Sequence, residues 1–64
     1  EEQLSWLLQG YIQGNAAEHG FEDHFAADYA FHHWAKANKR LASERATYVD
    51  WVRAVHPETY GKFV

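Results

Sequence analysis

No cysteine occurs anywhere in the chain. For a polypeptide of 64 residues, that absence constrains the fold more than any residue present. A chain of this size buries only about 60% of the surface its unfolded form exposes. Domains so small usually depend on disulfides, a structural metal or a partner. Disulfides and thiolate metal sites are excluded here, as is thiol redox chemistry. The fold must rest on apolar bulk, and a thiol-free chain fits the expected cytoplasmic setting.

That bulk is unusually aromatic. Nine large aliphatic residues stand beside eleven rings: three Trp, four Tyr and four Phe. Each ring buries a large area, so a few of them can fill a small core. Rings are also the residues that interfaces favour, so an excess of them bears on function as well as on folding. Ten alanines allow helices to approach closely.

The spacing of these residues is helical throughout. Leu4, Leu7, Leu8, Tyr11 and Ile12 fall at i, i+3, i+4, i+7 and i+8, which predicts an amphipathic helix over 2–14. Trp6 projects from its opposite side. The breaker-rich "GNAAEHG" (14–20) predicts a turn, with room for one further helical turn over Ala16 to His19. A second helix is expected over about 22–41, with Ala27, Ala30, Phe31, Trp34, Ala37 and Leu41 on a continuous inward seam. Ser43 is the expected N-cap of a third helix, whose apolar face carries Tyr48, Val49, Trp51, Val52 and Val55. Pro57 ends that helix. A short turn from His56 to Glu58 is expected next, with Phe63 and Val64 folding back as a latch. No strand-like alternation and no internal repeat appear. The predicted fold is all-α, a small three-helix bundle with room for a short C-terminal helical turn. Residues 1–64 are read as a single helical domain, and a start on Glu1 with no methionine suggests a fragment of a larger protein.

The second helix carries more apolar surface than one core needs. Phe21, Phe25 and Tyr29, spaced four apart, form a stripe away from the inward seam, and His32 and Lys36 extend it. These rings either pack on a flanking helix or form an exposed aromatic patch. Trp6, Phe21, Phe25, Tyr29 and His32 are accordingly the candidate protein-binding residues. The expected function is a non-catalytic interaction or assembly module whose partner is another protein or a second copy of the chain. Aromatic anchors dominate the binding energy of such surfaces.

Charge supplies the alternative. The net charge of −3 hides a polarity. Residues 1–35 hold six acids and no Lys or Arg, whereas residues 36–64 hold all six bases against three acids. Lys36, Lys39, Arg40, Arg45 and Arg53 cluster around the turn between the second and third helices, in the region of Trp34, Tyr48 and Trp51. Clustered bases with stacking rings are what single-strand nucleic-acid binders use. "FEDHF" (21–25) and "YVDWVRA" (48–54) together resemble the DnaT-type domains of bacterial and phage primosomal proteins over about residues 21–54. The resemblance implies single-stranded DNA binding in replication. The glycine and paired-tryptophan spacing of that family is missing between the two segments.

Other chemistries have little support. His24, Asp28 and His32 stand at successive i, i+4 steps, a spacing that can chelate a metal, but they match no metal signature and are read as solvated or hydrogen-bonded polar residues. No metal or other cofactor is expected. Glu18, Glu22 and Asp23 lie near His19 and His24 in sequence, yet a three-helix domain seldom has the concave pocket that acid–base catalysis needs. No catalytic residue is assigned, and the chain is not expected to be an enzyme. No apolar run approaches the roughly 20 residues of a membrane-spanning helix, and no signal-peptide layout is present, so no membrane partner is expected.

Overall fold

A computed structural model describes residues 2–64. Four α-helices and one 3₁₀ turn follow in order: α1 (Glu2–Gly14), the 3₁₀ turn (Ala16–His19), α2 (His24–Ala37), α3 (Arg45–Val55) and α4 (Pro57–Phe63). The all-α bundle expected from the periodicity is the fold observed. The additional turn over Ala16 to His19 is present, and the short C-terminal element is a helix in its own right. Pro57 opens it at the first helical position, where a missing N–H costs nothing and the fixed φ is already helical.

The core is built around Trp51, which is 1% exposed. Phe31 meets it edge-on with ring centroids 5.6 Å apart, Tyr48 lies at 5.4 Å, and Phe31 and Tyr48 are themselves 4.6 Å apart. Leu8, Ile12, Ala27, Val49 and Val52 complete the buried cluster. α1 packs on α3, α2 and α4, and its tightest association is with α3.

α2 ends and turns differently from the sequence expectation. Its N-cap is Asp23, whose Oδ1 accepts a hydrogen bond from the Ala26 N–H at 2.9 Å, so the helix begins at His24. It stops at Ala37, four residues short of Leu41. The Arg40 N–H bonds to the Ala35 carbonyl at 2.7 Å and the Lys39 N–H to that of Lys36 at 3.1 Å. This is a Schellman closure, in which the residue after the C-cap takes a left-handed conformation. Lys39, at φ 57°, fills the position that glycine normally holds. The helix boundary therefore carried no glycine to mark it.

The inward line of α2 is consequently Ala27, Phe31 and Ala35, a narrower seam than the expected one. Ala30 and Trp34 flank it half-buried, while Ala37 and Leu41 are exposed, Leu41 by 63%. On α1 the buried line is Ser5, Leu8 and Ile12. Leu4 and Tyr11 border it, and Leu7 is 54% exposed. α3 is preceded by Glu44 at the cap position with no side-chain cap bond, so Ser43 does not cap it. Val55 lies 45% exposed at its end. Of the expected latch, Phe63 packs edge-on against Tyr11 at 5.5 Å, and Val64 is exposed.

Candidate interaction surface

A helix advances about 100° per residue, so a helix whose core line is Ala27, Phe31 and Ala35 must carry Phe25, Tyr29, His33 and Lys36 on its opposite side. All four are exposed, Phe25 by 71% and Tyr29 by 72%. These are among the largest exposures of any apolar side chain in the described residues. Their aromatic contacts stay within the helix. The His24 ring lies 4.1 Å from that of Phe25, and His33 lies 6.3 Å from Tyr29. His32, also exposed, is held 3.4 Å from Asp28 one turn back. The second stripe of α2 is therefore a surface stripe at Phe25, Tyr29 and His32.

Phe21 does not belong to it. Gly20 adopts φ 84°, a left-handed conformation that glycine takes without steric cost. The Phe21 N–H then bonds to the Ala16 carbonyl at 2.9 Å. This bend turns Phe21 inward, 6.3 Å from Trp51 and 5.6 Å from His56. Spacing alone places Phe21 in the stripe; the backbone reversal at Gly20 removes it.

Trp6 is 58% exposed but lies on α1, where Arg45 covers its ring. The Arg45 guanidinium sits 3.7 Å over its ring, and Arg45 also donates to Gln9 Oε1. A stacked, hydrogen-bonded guanidinium of this kind joins the N-terminal end of α3 to α1.

The basic cluster is largely engaged within the molecule. Arg40 pairs with Asp50 at 2.9 Å, and Arg53 reaches the other oxygen of the same carboxylate. With Arg45 on Trp6, the members with no ion-pair or ring partner among the described residues are Lys36 and Lys39, both exposed. The rings that would stack on bases are mostly inside: Tyr48 and Trp51 are buried, and Trp34 is half-buried. Burial, with a smaller contribution from Asp28, pushes the Tyr48 phenol well above its ordinary range, while the charge on Arg45 opposes the shift.

A second polar feature was not legible from sequence. A groove of about 460 Å³ opens where the 3₁₀ turn meets α4, lined by Tyr11, His19, His56, Thr59 and Lys62, with Glu18 and Glu58 on its rim. His19 Nδ1 lies 2.9 Å from the Asn15 carbonyl, so it must carry the proton. In the neutral ring, Nε2 then accepts from the Thr59 hydroxyl at 2.6 Å. The His56 ring stands edge-on to His19 at 4.9 Å, and its buried Nε2 has no hydrogen-bond partner among the described residues. Burial lowers the His56 pKa from its usual value, and His19 adds to the effect. Lys62 donates to the Tyr11 hydroxyl at 3.0 Å. His19 and Thr59 are 40 residues apart, which is why no local spacing announced the pair.

The carboxylates and histidines considered for chemistry are dispersed. Asp23 caps α2, His19 is committed to Asn15 and Thr59, and Asp28 pairs with His32. Among the described residues, no three His, Cys, Asp or Glu side chains converge as a metal site would require, and no helix is long and apolar enough to cross a membrane. No protein-family model, curated protein or solved structure matches the chain.

Proposed function

We propose that this domain is a non-catalytic protein–protein interaction or assembly module that docks through the outward face of α2. One observation carries the reading: two large rings, Phe25 and Tyr29, stand more than 70% exposed directly opposite the core line of their own helix. Phe21 and Phe31, from the same stretch, are drawn toward the core. A surface of this kind suits aromatic anchoring, in which a few rings desolvated together supply most of the binding energy, about 2 kcal/mol or more each. His32 borders the anchors. Trp6 and Phe21 act as structural neighbours in this reading and not as contacts. A thiol-free chain suits such a module working in the cytoplasm.

The second reading is single-stranded nucleic-acid binding of the DnaT type, in replication. Its support is Lys36 and Lys39, both exposed, with Lys36 on the same face as Tyr29. Against it, Arg40, Arg45 and Arg53 already hold intramolecular partners, and buried rings cannot stack on bases.

Two measurements on the same pair of proteins separate the readings. A Phe25→Ser/Tyr29→Ser variant and the parent chain are immobilised, and the proteins each retains from a lysate are compared; proteins kept by the parent and lost by the variant are the expected result. Anisotropy of labelled single-stranded oligonucleotides is then followed at low and moderate salt. Salt-sensitive binding that disappears on charge reversal at Lys36 and Lys39 would replace the first reading with the second. Loss of helicity in the serine variant would place the two rings in the core and end the proposal.

A further inference from the structure

The outward face of α2 has a feature that bears on which partner fits it. Its two ends are opposite in charge. Glu22 and Asp23 precede the helix and Asp28 lies in its first half, with no Lys or Arg among residues 22–28. Lys36 on its last turn and Lys39 just beyond it close the other end, Arg40 being paired with Asp50. Between them lies the apolar centre, Phe25 and Tyr29, with His33 beside it.

We infer that the partner of this face is a second copy of the chain, its α2 running antiparallel about a two-fold axis close to Tyr29. The inference rests on the reading of this face as a docking surface and names the occupant. A two-fold interface is self-complementary: if residue i meets residue j, then j meets i. Lys36 lies two turns after Tyr29 on the helix, Glu22 stands outside the helix just before the Asp23 N-cap, and both are exposed. Pairing about Tyr29 therefore sets Phe25 against His33 and Tyr29 against its own counterpart, and brings the end of each helix that follows Glu22 beside the Lys36 end of the other. A parallel arrangement would set acid against acid and base against base. Charge thus selects direction as well as partner. The antiparallel arrangement also aligns the two helix dipoles favourably, and the broad separation of charge tolerates a shift of one turn.

The interface is small. One face of a helix of 14 residues spans about 21 Å, so the buried area falls below the roughly 1,200 Å² of a stable complex. The dimer is accordingly weak, with a Kd on the order of 100 µM for the domain by itself. An assembly module would gain from that weakness if several copies were brought together, because linked sites bind with far greater avidity than single ones.

Sedimentation velocity of the 64-residue chain from about 10 µM to 1 mM tests the inference. The average mass is expected to rise from the 7.5 kDa monomer toward twice that value. Glu22→Lys and Lys36→Glu, each converting two attractive pairs into repulsive ones, are expected to weaken association about tenfold. The double variant Glu22→Lys/Lys36→Glu is expected to recover it. This recovery is the decisive arm. A lysine at the start of α2 and a glutamate at its end both oppose the helix dipole, so an effect on helix stability alone would make the double variant worse than either single one. Circular dichroism of each variant controls for folding. No association by 1 mM, or association that the double variant fails to restore, overturns the antiparallel dimer. If proteins are still retained by the parent and not by the Phe25→Ser/Tyr29→Ser variant, the docking surface stands with a different partner. A dimer that survives the serine variant defeats both ideas.

Discussion

Two sets of rings in this molecule differ in position and not in chemistry. Phe31, Tyr48 and Trp51 form the interior, each no more than 3% exposed. Phe25 and Tyr29 lie on the outside at 71% and 72%. Phe25 and Phe31 are six residues apart on one helix, an angular separation of about 240°, and that rotation gives them opposite roles. The inner set is defined by what α3 presents to α2, and the outer set by the absence of any element beyond it among the described residues. In a domain this small, the amount of aromatic surface is fixed by sequence, but its division between stability and recognition is fixed by how each helix is rotated.

The strongest way to break the comparison is to remove an inner ring. Trp51→Ala deletes the side chain that touches Phe31, Tyr48, Phe21 and His56. Truncating a buried tryptophan costs about 3–5 kcal/mol, and a single core of this size seldom supplies more than about 3–5 kcal/mol in total. The variant is expected to lose its cooperative thermal transition by circular dichroism. A folded variant with a melting temperature near that of the parent would show that Trp51 is not the centre of the core.

A smaller effect is expected from the polar edge of that interior. His56 packs against Trp51 at 5.0 Å and faces His19, with Glu18, Glu58, Lys62 and Tyr11 around the same groove. Burial, and secondarily His19, lowers its pKa in the folded state. Between the lowered value and the ordinary one near 6.5, the unfolded chain therefore holds the proton more readily than the folded one. Linkage then makes this contribution complete above about pH 6.5 and progressively lost as pH falls below it. Melting curves of the parent and of His56→Gln between pH 8 and 5 are expected to converge in slope only above that point, with the parent falling more steeply below it. Equal slopes throughout would remove His56 from the account.

Backbone conformation sets the boundary between the two ring sets, and it can be altered at two positions. Gly20→Ala places a Cβ in open space but at φ 84°, so its cost is conformational, about 1–2 kcal/mol. Because this turn directs Phe21 toward Trp51, the loss is expected to appear in thermal stability. Lys39→Gly relieves the same kind of strain at the end of α2 and is expected to stabilise the fold by up to about 1 kcal/mol, the left-handed penalty less the extra entropy of glycine in the unfolded chain. A Lys39→Gly variant less stable than the parent would mean that the left-handed conformation is not held there in solution.

These two positions also mark the limit of what the sequence disclosed. The i, i+4, i+8 spacing of Leu4, Leu8 and Ile12 located α1, and the Tyr48, Val49, Trp51 and Val52 face located α3, because burial imposes helical periodicity. Pro57 located the break between α3 and α4 for a local steric reason. The end of α2 was not legible, since Lys39 occupies a position that glycine usually announces. The fate of Phe21 was not legible either, because one left-handed residue overrides a spacing of four. Phe25 and Tyr29 were identified as a second stripe, but whether it faced a flanking helix or the exterior depends on the packing of α3 against α2. The groove at His19 and Thr59 joins residues distant in the chain, and no pattern in either segment points to the other.

The smallest expected effect completes the comparison from the other side. Phe25→Ala and Tyr29→Ala remove as much ring as the same truncation would remove at Phe31 or Tyr48, yet each is expected to change stability by no more than about 0.5 kcal/mol. An exposed side chain leaves no cavity when truncated, and the hydration it gains differs little between the folded and unfolded chain. A denaturant titration of each variant decides the matter. A loss of 2 kcal/mol or more, the range of buried truncations, would show that an element covers α2 in solution and that the outer rings belong to a core. A loss within the expected range leaves their retention on the surface without a folding explanation, because neither ring then contributes to the stability of the domain that carries it.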